Sequence, residues 1–510
     1  MNNRNIQAAW KYHDSTKHSA WSVRNNPHFL DWANRPLSFK IYPEIEPLKL
    51  PTDVPQTGVA ALSAISQVAE PVGDAAPGLR DLARILYFSA GITKSRAYPG
   101  GEIYFRAAAC TGALYEIELY VVCGDLPDLE AGVYHFGPAD VSLRLLRKGD
   151  FRGNLVRATA AETAVAHAPA TIVCSGTYWR NAWKYQARTY RHFGWDNGTL
   201  LANLLAVSAA SGHAAEVVLG FTDEEVNHLL DLDTRREVSF CLAPIGRVSQ
   251  PSFPPPRKIE VLGAKTIALS QREVEYPAML EMHDASSLQA EEEVRQWRAK
   301  AEPAVTDSSG QEINLQPIPE GEEPHDTIEQ VILRRGSTRT FDKTASITFP
   351  QLSTILDRAT RGMPADFLAP DAQLNDLYLI VNSVEGLKPG AYYFHRERKS
   401  LELLKEGEFR SEAYQLGLGQ ELPADACVDV FFLADLGRIL ERYGNRGYRA
   451  VQLEAGVIGG RMYLASYAQR LGATGLTFFD DDVTQFFSPH AAGKSAIFLV
   501  AIGKSLKRSS

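Results

Sequence analysis

The apolar positions of this chain follow one pattern twice. Residues 118–136 (ELYVVCGDLPDLEAGVYHF) run apolar and β-branched, break at a polar Gly/Asp/Pro stretch, and resume with small and aromatic residues. That pattern predicts a strand, a turn and a second strand. Residues 376–394 (DLYLIVNSVEGLKPGAYYF) repeat it 258 residues further on, 118 becoming 376. The same offset carries LRLLRKGDFR at Leu143 to LELLKEGEFR at Leu401, and Arg188-Thr189-Tyr190-Arg191 to Arg446-Gly447-Tyr448-Arg449. Each half then enters an Ala/Leu-rich stretch (200–212 and 458–472) and closes on Ile-Gly, at Ile245-Gly246 and Ile502-Gly503. Four blocks in register make the chain a fused tandem of one domain.

Within each copy the segment types alternate. GVYHF followed by SLRLLR predicts a hairpin, and TIVCS (171–175) a further strand. Residues 198–213 (GTLLANLLAVSAASGH) are apolar on nearly every side, which suits a helix buried against another, its counterpart in the second half. Helices with an antiparallel-leaning sheet give an α+β class. The organisation predicted is a leading segment 1–60, a first half 61–248, a Pro-rich linker 249–325 with one charged amphipathic helix near 276–300, and a second half 326–510.

Composition narrows the function classes. The 510 residues correspond to two large domains or about three at ~150 each. The hydrophobic content of 45% suffices for a sizeable core without disulfides or metals. A net charge of −8 with no basic tail argues against nucleic acid or an anionic membrane. No run of 18 apolar residues is present, and the opening Met1-Asn2-Asn3-Arg4-Asn5 lacks the apolar core of a signal peptide. Five cysteines without C-x-x-C spacing fit a reducing cytoplasm better than a disulfide framework or zinc ribbon.

The two halves differ where chemistry is expected. The second opens with Arg334-Arg335-Gly336-Ser337-Thr338-Arg339-Thr340-Phe341. Guanidinium forks pair bidentately with phosphate oxygens, a hydroxyl adds a bond, and glycine lets the backbone approach. A solvated basic helix end is the plain alternative. The matching place in the first half, Val72 to Gly78, has no such cluster. The first half instead carries a small-residue turn, Arg106-Ala107-Ala108-Ala109-Cys110-Thr111-Gly112-Ala113-Leu114-Tyr115, on which a flat ligand can lie; an ordinary tight connection is the bland reading. The second half has Phe367-Leu368-Ala369-Pro370-Asp371-Ala372-Gln373-Leu374 there. Each half lacks what the other keeps, as expected of a two-site homodimer fused and reduced to one site.

These residues resemble the FMN-dependent nitroreductase superfamily, and within it the SagB-type dehydrogenases, the thiazole/oxazole-forming oxidase-like group, in fused tandem form. Tyr12-His13-Asp14-Ser15-Thr16-Lys17-His18-Ser19 is similar to the family's opening Y-H-x-x-T-K-H-S, and Arg334 to Phe341 to its R-R-x-S-x-R-x-F. The turn matches P-S-x-G-A-L-Y, with Ala109 for Pro, Cys110 for Ser and Glu116 where Pro is common. Trp183 to Arg191 resembles K-Y-x-x-R-x-Y-R. The resemblance implies a tandem nitroreductase fold packed as an intramolecular pseudo-dimer, with FMN in a pocket shared between the copies. Arg335, Gly336, Ser337 and Arg339 would hold its phosphate, with Lys504, Lys507 or Arg508 assisting from the C-terminus. Cys110, Thr111, Gly112 and Ala113 would line the ring, and Gly475 and Leu476 would stand at its N5 edge, with Gly220 and Phe221 as their vestige.

The family's azoline-oxidising members use a Lys-Tyr pair, matched by Lys184 and Tyr185. Aromatising an azoline removes a proton from one ring carbon and a hydride from its neighbour. A lysine desolvated beside other cations can serve as the base, with the phenol as relay. Arg442-Tyr443 stands there in the second half, and arginine stays protonated. The expected activity is oxidation of an azoline-containing peptide or related natural-product intermediate, with other subunits of a peptide-modifying complex as candidate partners. An NAD(P)H-dependent nitro or quinone reductase and a non-catalytic scaffold are the alternatives, and a monomer or a homodimer is expected. No metal is expected: His13 and His18 are spaced as structural residues, and Asp480-Asp481-Asp482 reads as a solvated turn or helix cap.

Overall fold

The computed structural model describes residues 2–66, 74–98, 101–298, 310–369 and 372–506. Val72, Gly73, Pro370, Asp371, Lys507 and Arg508, invoked above, lie outside the described residues. Two antiparallel sheets carry the duplication. In the first the strand order is Pro47–Lys49, Ser142–Lys148, Gly132–Gly137, Ile117–Cys123, Ala170–Thr177, Glu237–Ile245. The second runs Glu312–Asn314, Ser400–Glu406, Gly390–His395, Asp376–Val381, Val428–Ala434, Ser495–Gly503, with Gly472–Leu476 added at its far edge. The predicted hairpin and strands are all present. Their apolar runs lie buried on both faces, which explains why their alternation is incomplete.

Between the sheets cross the long helices Thr189–Ala210 and Arg446–Ala468, buried over almost their whole length. Their approach rests on small residues: a Cβ on Gly198 would stand 2.5 Å from the Cα of Gly456, and one on Gly460 would stand 2.6 Å from the Cβ of Ala202. The Trp195 indole donates across this contact to Gln452 Oε1 at 2.6 Å.

Reciprocal ion clusters lock the halves. Arg188 and Arg191 of the first half hold Asp480 of the second at 3.2 and 2.6 Å. Arg446 and Arg449 of the second hold Asp223 of the first, each at 2.6 Å. Asp480 is therefore not the solvated turn or cap residue anticipated; it begins the helix Asp480–Phe487 fully buried. Burial alone would raise its carboxyl, yet the two guanidiniums outweigh this and hold it far below the usual range. Among its described residues the segment 249–325 has two helices, Pro277–Ala285 and Glu291–Trp297, where one was expected. The first mirrors the N-terminal helix Gln7–Ser15. Arg191 donates to His13 O and Thr16 Oγ1. Arg449 donates likewise to His283 O and Ser286 Oγ. His18 N reaches Asp480 as Leu288 N reaches Asp223. The His13 carbonyl and the His18 backbone N–H thus take part in the clasp.

The phosphate-type motif is delivered by the helix Ile328–Arg334, whose Thr327 accepts from Gln330 N while Gln330 Oε1 accepts from Thr327 N. Losing this capping box through Thr327→Ala is expected to cost about 1 kcal/mol, read as a lower urea midpoint at unchanged slope.

Candidate functional site

The turn of the first half and the Arg motif of the second meet directly. Arg335 donates from Nε to Ala107 O at 3.0 Å and from Nη2 to Arg106 O at 3.1 Å. Beyond that contact the turn enters left-handed backbone at Gly112 (φ 64°), Ala113 (54°) and Tyr115 (54°). A Cβ on Gly112 would stand 2.8 Å from the Tyr185 hydroxyl, so both its φ and its space call for glycine. Asp196, from the long helix, holds the turn by accepting from Thr111 N (2.9 Å) and Thr111 Oγ1 (3.0 Å). Arg180 supports its back, donating to Tyr115 O at 2.8 Å and to the buried Glu118 at 2.6 Å.

Lys184 and Tyr185 end the helix Tyr178–Tyr185, which stops at Gln186 with φ 50°. The ammonium lies 5.2 Å from the Tyr185 ring centre, and that ring stands edge-on to His192. Desolvation, then the Arg339 guanidinium, lowers Lys184 below the ordinary lysine range. Since Arg339 belongs to the second half, the structure brings the Lys-Tyr pair to the Arg motif. Burial, with Asp196, Cys110 and Glu116 nearby, pushes the Tyr185 phenol up and keeps it neutral.

Ser337 Oγ lies 3.3 Å from the Tyr463 hydroxyl, which also accepts the Gly475 N–H. Gly336 has open surroundings, with only the Tyr467 hydroxyl near a hypothetical Cβ, at 3.6 Å. Gly475 and Leu476 therefore border the site, but the Gly475 N–H is already taken. Lys504 follows the strand Ser495–Gly503. Its carbonyl accepts from Asp342 N and its ammonium acts on the Asp342 carboxylate, three residues along from Arg339.

Two contributors escaped the sequence. Asp196 carries no motif, and only its place one turn after Arg191-His192 hinted that it faces the turn. Lys94, on the hairpin strand Ile92–Tyr98, donates to Arg334 O and Arg335 O at 3.1 and 2.9 Å. Among the described residues Lys94, Lys184, Arg335 and Arg339 have no carboxylate within 4.0 Å. Four cations without counter-ions, in a chain of net charge −8, are suited to an anionic ligand. The residues present thus fit FMN: Arg335, Ser337 and Arg339 for the phosphate, the turn for the ring.

Among the described residues, hydrogen bonds and aromatic packing bridge the pseudo-symmetric second seat. Register along the sheet edges makes Val217 the counterpart of Gly475, so Gly220 corresponds to Phe478 instead. Val217 N donates to Pro364 O and Asp366 N to Val217 O, stitching together the two walls of this seat. Tyr443, counterpart of Tyr185, donates to Phe367 O at 2.7 Å. Trp297 packs against both walls, 5.6 Å from Tyr443 and 6.1 Å from Phe367 between ring centres, and Arg298 ties Asp366 to Gly220 O.

Residues 332–504 match the Nitroreductase family, so the second half carries a nitroreductase-family domain. Two relatives share the name "putative nitroreductase". A Methanocaldococcus jannaschii protein is 27% identical over 169 residues, 33% of this chain and 80% of its own length. A crystal structure from Anabaena variabilis aligns over 98% of this chain and 99% of its own at 25% identity, with a TM-score of 0.78. A chain of the E. coli microcin synthetase McbBCD complex with truncated pro-MccB17 bound aligns over 47% of this chain and 87% of its own, at 18% identity and a TM-score of 0.31. The Anabaena variabilis alignment, over nearly the whole chain, gives it the nitroreductase fold in both halves. No helix among the described residues is long and apolar enough to cross a membrane.

Proposed function

We propose that this protein is an FMN-dependent oxidoreductase with one composite site, acting on an azoline-containing peptide or a related natural-product intermediate. The observation that carries this reading is the meeting of the Arg motif, the turn and Lys184 at one seam, with their cations unpaired. FMN, when bound, supplies the hydride acceptor. Arg335 and Ser337 orient the ligand from the second half, and the Thr111–Ala113 backbone supports it from the first. Lys184, partly desolvated, takes a proton from the substrate carbon, and the neutral Tyr185 beside it orients and relays that proton. The closed second seat limits each chain to one cofactor.

The relatives' name favours a second reading, reduction of nitro compounds at the expense of NAD(P)H. The two separate cleanly in the cuvette, since rapid bleaching of the flavin by NAD(P)H is expected only of the reductase.

A visible spectrum of the purified chain, with the ligand released by heat and identified, should give about one FMN per chain. Two would refute the closed seat. None, after reconstitution with excess FMN, would refute the flavin reading and leave a scaffold role.

A further inference from the structure

We propose that Cys110, Glu116 and Asp196 form a site for one thiophilic divalent cation, of which zinc is the reference case. The Cys110 sulfur lies 3.3 Å from Glu116 Oε2 and 3.3 Å from Asp196 Oδ2, and the three ligand atoms all fall within 4.8 Å of one another. Around a tetrahedral zinc, with Zn–S of about 2.3 Å and Zn–O of about 2.0 Å, sulfur and oxygen ligands stand roughly 3.3–3.5 Å apart.

The second half keeps only one polar group at these three positions. There, 258 residues on, Leu368, Leu374 and Glu454 take their places. Glu454 holds the end of the equivalent turn, accepting from Leu374 N and from Asn375 N and Nδ2. The thiol and the second carboxylate are extra, and they occur on the side that keeps the site.

A second observation points into the cluster. Glu116 is fully buried and its Oε1 has no hydrogen-bond partner. Among the described residues no Lys, Arg or His lies within 4.0 Å of the Glu116 or Asp196 carboxylate (the ion pairs are formed elsewhere). Two ionised carboxylates buried in contact are strongly disfavoured, so the pair holds either a proton or a cation. Beside Cys110 and Asp196 opens a cavity of about 20 Å³, enough for one water, and its wall includes Arg106, whose Nε is unpartnered. A water there completes four-coordination and accepts from that guanidinium. Tyr115 N already donates to the sulfur at 3.0 Å, and Thr111 orients Asp196, an arrangement usual around metal ligands. The thiolate selects a zinc-like ion over magnesium or calcium. Binding displaces the thiol proton to solvent and involves no redox change.

The test uses the full chain, stripped by chelator and dialysed against Zn²⁺ or Co²⁺, with and without FMN. About one metal per chain is expected, together with a thiolate-to-cobalt charge-transfer band. Cys110→Ser should abolish the band, and the isosteric Glu116→Gln should weaken binding at least about 10-fold while the circular dichroism stays unchanged. Wild-type protein without retained metal, or a band undiminished in Cys110→Ser, would overturn the site. So would an infrared carbonyl stretch of a protonated buried carboxyl that persists in excess Zn²⁺, because the pair would then hold a proton in the cation's place. The result stands apart from the flavin reading, since it is measured in flavin-free protein as well.

Discussion

Replacing Lys184 by methionine is expected to lower turnover roughly 10²–10⁴-fold while FMN remains bound, the range over which a positioned general base contributes. Methionine keeps the length of the side chain and removes its only titratable group. The geometry gives a second, independent signature. Lys184 acts as a base only when neutral, so kcat/KM should rise with pH through its pKa and level off above it. Desolvation and Arg339 lower that pKa, which places the limb below the ordinary lysine range. Arg339→Gln removes one of the two causes, so the limb should move to higher pH, with weaker FMN binding besides. A pH–rate profile of the three proteins reads both effects. An unchanged rate in Lys184→Met would remove the residue from the mechanism.

Asp480→Asn is expected to be the most damaging conservative change in the fold, costing about 3–5 kcal/mol, because it leaves two buried guanidiniums without their counter-charge. Its exposed neighbour offers the control: Asp481→Asn disturbs only a salt bridge to Lys17 at the surface, with an effect below about 1 kcal/mol. Denaturant midpoints measured side by side decide the matter. The pH dependence follows from the same cluster. The folded-state pKa of Asp480 is depressed, so its contribution is complete above the unfolded carboxyl value near 4 and is lost as pH falls toward the folded pKa. The wild type should therefore lose stability steeply on acidification below about pH 4, and Asp480→Asn less steeply. Asp223, held by Arg446 and Arg449, contributes with the same sign.

Much of this architecture was written in the sequence. The four repeated blocks located the strands, the hairpins and both long helices, because apolar runs at a constant spacing have few other readings. The complementary losses between halves led to Cys110–Ala113 and Arg335–Arg339, and Arg335 indeed bonds to the turn. What escaped had a common cause. Asp480, Asp196 and Lys94 derive their roles from partners hundreds or scores of residues away, and their local sequence resembles ordinary surface. The Arg-x-Tyr-Arg signature was visible, but not that it clasps the opposite half. His283-Asp284-Ala285-Ser286 repeats His13-Asp14-Ser15-Thr16 only 270 residues on, 13 becoming 283, an offset that breaks the register of the rest. That mismatch hid the kinship between the N-terminal helix and the helix Pro277–Ala285.

The seat bridged by Trp297 also bears on how such a chain can arise. In a homodimer one gene encodes both seats, so a tryptophan that plugs one plugs the other, and the enzyme is lost. Joining the two copies uncouples them. From then on a substitution lands once, and the spare seat is free to become interior. Its walls are joined by hydrogen bonds and an indole from the connecting segment packs between them, so the spare place adds cohesion between the copies.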